Sequence, residues 1–160
     1  MIAEMINACE YTIGFMRESV SGLSDEQLVA QPAGLPNHAL WTLGHIAHSC
    51  QGIAAELGVA SWLPGDWESR FGYGSSPSPD LARYPQKDEM LAIVADAMSR
   101  LREALQATDA SLLEKSLPDE TMPTMGHLLV QVVVAHTAYH AGQLAAWRRA
   151  VGGPTGAVYV

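Results

Sequence analysis

Residues 125–147 read MGHLLVQVVVAHTAYHAGQLAAW, and the fold turns on whether this stretch is strand or helix. Val130 to Val134 alone is ambiguous, because a β-branched run favours a strand. The wider spacing decides. Met125, Leu129, Val132, His136, Tyr139 with His140, Gln143 and Trp147 recur every three or four residues, the period of a helix. This last helix is expected to begin near Thr124 and run to Val151, with Gly152-Gly153-Pro154 as its stop.

The same period governs three earlier segments. Ile2, Met5, Ile6, Cys9, Ile13, Met16 and Val20 form one apolar stripe, predicting a first helix over 2–20 that ends at Ser21-Gly22. Ser24 and Gln27 stand at capping-box spacing, so one or two turns are expected over 25–30. The QPAGLPN break follows, and Asn37 is the expected N-cap of a second helix over 38–57. Leu43, Ile46, Cys50, Ile53 and Leu57 line its apolar face, while Trp41, His45, His48 and Gly52 run along one edge. From Gly58 to Pro85 periodicity is lost among Gly, Ser, Pro and the aromatics Trp62, Trp67, Phe71 and Tyr73. A connection this long is usually functional; Trp62 and Trp67 are expected to cover the end of the helices rather than bind ligand. Met90, Ile93, Val94, Ala97, Leu101 and Leu105 mark a third helix over 86–107, and Asp109 is placed to cap a short turn through Leu113. The sum is an all-α fold. Four amphipathic helices make an antiparallel-type four-helix bundle, with the long irregular connection between helices 2 and 3. The 160 residues are expected to form one domain.

Composition narrows the function classes. Only 16% of residues are charged against 48% hydrophobic, so part of the apolar surface is expected to be covered by a second copy, giving a homodimer. With 17 acidic against 9 basic residues and no basic run beyond Arg148-Arg149, nucleic acid is a poor partner. The N-terminus carries Glu4 and Glu10 and lacks the pattern of a secretory leader. No uncharged apolar run approaches the roughly 20 residues of a membrane span. Cys9 and Cys50 form no CxxC pair and read as buried free thiols. The expected location is the cytoplasm.

His136 and His140 stand four residues apart, so both imidazoles leave the last helix from one face. Two neutral imidazoles so placed can chelate one ion, or can simply be hydrogen-bonded core residues. His45, on the inner edge of helix 2, would complete a triad if the two helices face each other. Three imidazoles leave a position open on a divalent ion, the mark of a reactive rather than a structural site. The pair reads HTAYH, without the glutamate that a metalloprotease uses as general base. His48 is either a fourth donor or, as favoured here, a neighbour of the ligands; His38 and His127 fall at helix starts as solvated or capping residues. Trp41 either walls the site or packs in the core.

LWTLGHIAHS (40–49) and HTAYHAGQLAAWRRAVG (136–152) resemble the two signature segments of the DinB/YfiT-like superfamily of metal-dependent enzymes. The resemblance implies a four-helix bundle, frequently dimeric, with a divalent ion held by three histidines. Carried over residue by residue, these are His45, His136 and His140. Gly142 and Gln143 match; Gln143 is either a support for a ligand or a helix former. Where the family often has a basic residue before that pair, this chain has Ala141, so no role carries over there. Zn²⁺ or Ni²⁺ would leave its open position to water or a thiolate. Relatives include thiol-dependent transferases and isomerases, which implies a small-molecule substrate and a low-molecular-weight thiol as cosubstrate; hydrolysis is the second enzymatic option. The rival expectation is a non-catalytic helical dimer, stress-related or binding, whose histidines are structural.

Overall fold

The computed structural model describes residues 1–152; of the expected stop signal, Gly153 and Pro154 lie outside that range. The described residues are helical, with no strand. The elements are α1 (Ile2–Ser19), α2 (Asp25–Leu28), α3 (Ala39–Glu56), α4 (Trp67–Phe71), α5 (Lys87–Gln106), α6 (Met125–Leu129) and α7 (Thr137–Ala150). A π-helical segment, Val130–His136, joins α6 to α7 without a break. Short 3₁₀ turns lie at Pro32–Gly34, Leu81–Arg83 and Ala110–Glu114. No described helix is long and apolar enough to cross a membrane.

α3 packs along α5, and α1 packs along α7 and the π segment. α1 also touches α5, and α3 also touches α7, so the core lies between the long helices. Met16, Leu40, Leu43, Ile46, Met90, Leu101, Leu105, Met125 and Trp147 fill it, all almost wholly removed from water. This burial drives the assembly, because none of these helices carries enough intrinsic propensity to stand alone.

Two caps follow the sequence reading. Ser24 and Gln27 form the reciprocal capping box at α2, and the Asp109 carboxylate accepts from the Ser111 amide. The start of α3 differs. Its N-cap is His38, not Asn37: the extended backbone of His38 lets Nδ1 accept from the Trp41 amide at 3.2 Å. With Nδ1 accepting, the ring proton sits on Nε2 and donates to the Ser78 carbonyl at 3.0 Å, beside the Tyr84 hydroxyl. His38 is therefore a buried cap that pins the 72–84 loop to α3, and burial pulls its pKa below the ordinary histidine value. Asn37 instead donates to Gln143 Oε1 at 3.4 Å.

The last helix also departs from its expected stripe. Val133 rather than Val132 is buried, followed by Thr137, His140 with Ala141, Leu144, and Trp147 with Arg148, while Tyr139 is 64% exposed. The wider turns of the π segment shift the phase by which a regular helix would have been read.

Candidate metal centre

Three helical positions bring one nitrogen each from His45, His136 and His140 to within 4.8 Å of one another. His45 Nε2 lies 3.1 Å from His136 Nε2, and His140 Nε2 lies 3.1 Å from the same atom. His45 and His140 are buried and His136 is partly so.

The orientation of His45 is built by the connection after α3. Its Nδ1 meets the Phe71 carbonyl at 2.6 Å. A carbonyl only accepts, so Nδ1 carries the proton and the neutral ring turns the lone pair of Nε2 toward His136. Phe71 reaches this place because residue 44 is glycine: a Cβ there would stand 2.3 Å from the Phe71 ring. Trp67 Nε1 donates to the Gly44 carbonyl at 3.0 Å, and the Trp67 and Phe71 rings pack 4.5 Å apart. The helix α4 is thereby clamped onto α3. Trp41 stacks on the other side of His45, 4.9 Å away and nearly parallel, so it walls the site and packs in the core at once.

The donor set fits a cation. His136 Nε2 faces two other Nε2 atoms, and a single N–H can satisfy only one of them. Nδ1 of His136 and of His140 is buried without a hydrogen-bond partner. With metal–nitrogen bonds of roughly 2.0–2.1 Å, a tetrahedral ion spaces its donors about 3.3 Å apart, close to the two 3.1 Å separations at His136. Burial also holds the rings neutral. His136 and His140 are pushed down to about 4, by desolvation first and by the neighbouring imidazoles second, and His45 is lowered by burial against the opposing pull of the Phe71 carbonyl. Neutral imidazole is the metal-binding form.

The remaining expected residues take other places. His48, one turn on from His45, pairs through Nε2 with Glu68 Oε2 at 2.5 Å and stands outside the triad. Gln143 accepts from Asn37 and weakly favours the charged form of His140, without a bond of regular geometry to Nδ1. His127 is exposed and hydrogen-bonded to its N-cap Thr124. Cys9 and Cys50 are buried free thiols; burial raises Cys9 to about 11 and Cys50 further. Sequence reading missed Gly44, Trp67, Phe71 and Glu68 as site builders. A glycine inside a helix costs about 1 kcal/mol against alanine and so asks for a reason, which here is the Phe71 ring. No signal in the sequence marks the Phe71 carbonyl.

A family model described as the DinB superfamily matches residues 10–144, a span that holds all three histidines and the α4 clamp. No curated protein matches the chain. A crystal structure described as the conserved protein of locus from Enterococcus faecalis is similar over 96% of this chain and 98% of that one, with a TM-score of 0.79 at 18% identity. At that identity the likeness is one of fold.

Two outcomes follow from the geometry. Gly44→Ala displaces Phe71, so unfolding in urea should lose about 1–3 kcal/mol, and ¹⁵N NMR should find His45 no longer held as the Nδ1–H tautomer. An unchanged tautomer would contradict the clamp. In the metal-free chain the unfolded state takes up protons on His136 and His140 near 6.5 and the folded state only near 4. Their contribution to stability is therefore full above about 6.5 and lost as pH falls toward 4. Urea titrations across that window should show a steeper loss for the wild type than for a His136→Gln/His140→Gln variant; equal slopes would count against it.

Proposed function

The chain belongs to the DinB superfamily, and from that membership together with its histidine geometry we propose that it is a metal-dependent enzyme. His45, His136 and His140 hold one divalent transition metal, Zn²⁺ or Ni²⁺, and the chemistry is transfer of a low-molecular-weight thiol to a small electrophile, or hydrolysis of a small molecule. The observation that carries this reading is the convergence of three neutral imidazoles with His45 Nε2 turned inward by the Phe71 carbonyl. The architecture is read as an antiparallel four-helix bundle in a single domain over 1–160, acting as a cytoplasmic homodimer. The packing of α1, α3, α5 and α7 on one another supports the bundle, and the low charge content supports the dimer.

An ion held by three neutral donors keeps its full positive charge and supplies Lewis acidity toward a thiol or water. The protein's own part is orientation and desolvation. Phe71 fixes which nitrogen of His45 faces the site, as the partners of ligating histidines commonly do. Trp41 covers His45 and excludes water from that side. Tyr139, largely exposed with its ring 5.4 Å from that of His140, offers an aromatic rim to an entering substrate. The His48–Glu68 pair supplies a polar edge one turn away.

Metal analysis of protein purified without a histidine tag should return about one equivalent of transition metal, lost in His136→Ala. A metal-free wild type, with stability unchanged in that variant, would favour the non-catalytic helical dimer. With metal present, a screen of thiols against electrophiles separates transfer from hydrolysis.

A further inference from the structure

The π segment ends at His136 itself, and the residue after it is a buried threonine, 4% exposed. The Thr137 hydroxyl donates to the Val132 carbonyl at 3.2 Å, five residues back. In the long helices four other hydroxyls reach four residues back, as a regular helix favours: Thr12 to Ala8, Ser19 to Phe15, Thr42 to His38 and Ser49 to His45. Thr137 thus departs from all of these, and it does so inside the π register.

The register matters for the site. Leu129, Val133 and Thr137 are buried on one face at four-residue spacing. Over eight residues a regular α-helix overshoots two full turns by about 80°. The wider π turns absorb that drift, so that Met125 and Leu129 at one end and His136 and His140 at the other all face inward. Short π segments recur at functional sites.

Resting on the metal-site reading above, we propose that Thr137 is a positioning residue for that site: its hydroxyl, tied to the Val132 carbonyl, holds the π register that aims His136 at His45 and His140. The methyl group of Thr137 packs, whereas the hydroxyl sets the register. A threonine with a merely structural role would affect stability without touching the geometry of the nitrogen donors.

The test is a Co²⁺ titration of the purified, metal-stripped full chain, following visible absorption and binding affinity, with circular dichroism and thermal melting alongside. Wild type should take up about one equivalent and His136→Ala none. Thr137→Val, nearly isosteric but without the hydroxyl, should bind at least ~10-fold more weakly, the usual loss when the support of a ligand is removed, and show an altered spectrum while remaining helical. Thr137→Ser, which restores the hydroxyl, should recover most of the affinity and the wild-type spectrum. If Thr137→Val does not fold, Thr137→Ala carries the same comparison. Wild-type affinity and spectrum in the hydroxyl-free variant, or no recovery in Thr137→Ser, overturns the positioning role and leaves the metal site standing. Failure of the wild type to bind Co²⁺ overturns the metal reading, and the role of Thr137 falls with it.

Discussion

The hydrogen bond from His45 Nδ1 to the Phe71 carbonyl is the contact on which the arrangement of the site depends. It is a backbone acceptor buried beside α3, and it decides a tautomer: with the proton on Nδ1, the Nε2 lone pair has to face the last helix. What holds this carbonyl in place is the packing of the connection between α3 and α5 onto the start of α3. Gly44 leaves room for the Phe71 ring, its carbonyl receives Trp67, and His38 fastens the following loop through Ser78 and Tyr84. The long connection therefore acts as a bracket for one imidazole as well as joining two helices.

The opposite side of the triad is held by a different device. His136 and His140 follow from a single helix face, but their direction relative to the core depends on the π segment before them. Burying imidazoles carries a cost for the charged form, which is why both are pushed far below the ordinary histidine range. The same cost prepares them as neutral donors. Desolvation and metal competence are one property of this pocket, seen from two sides.

Much of this arrangement is legible in the sequence. The helix period placed the long helices within a residue or two, because apolar stripes and Ser/Asp caps are local signals. His136 with His140 was legible for the same reason, since four-residue spacing fixes a shared face whatever the helix packs against. His45 required only that α3 face the last helix, which the apolar edge beside Leu43 and Ile46 suggested. What escaped was tertiary. Asn37 is the better N-cap by preference, yet His38 caps α3, since its ring is locked by Ser78 and Tyr84 from 40 and 46 residues away. The π register escaped because VQVVVAH carries no proline or glycine to mark a break; the phase is set by Thr137 and by packing on α1. Phe71 escaped because its function resides in a backbone carbonyl, which any residue has.

Three imidazoles from α3 and the last helix sharing one ion is the arrangement on which the proposed chemistry depends. X-ray absorption on untagged protein carrying the metal it was isolated with tests this most directly. Three nitrogen scatterers at about 2.0–2.1 Å with the outer-shell pattern of imidazole, together with at least one oxygen or sulfur donor, would agree with it. A first shell of oxygen alone, or no ordered metal in fully folded protein, would contradict it.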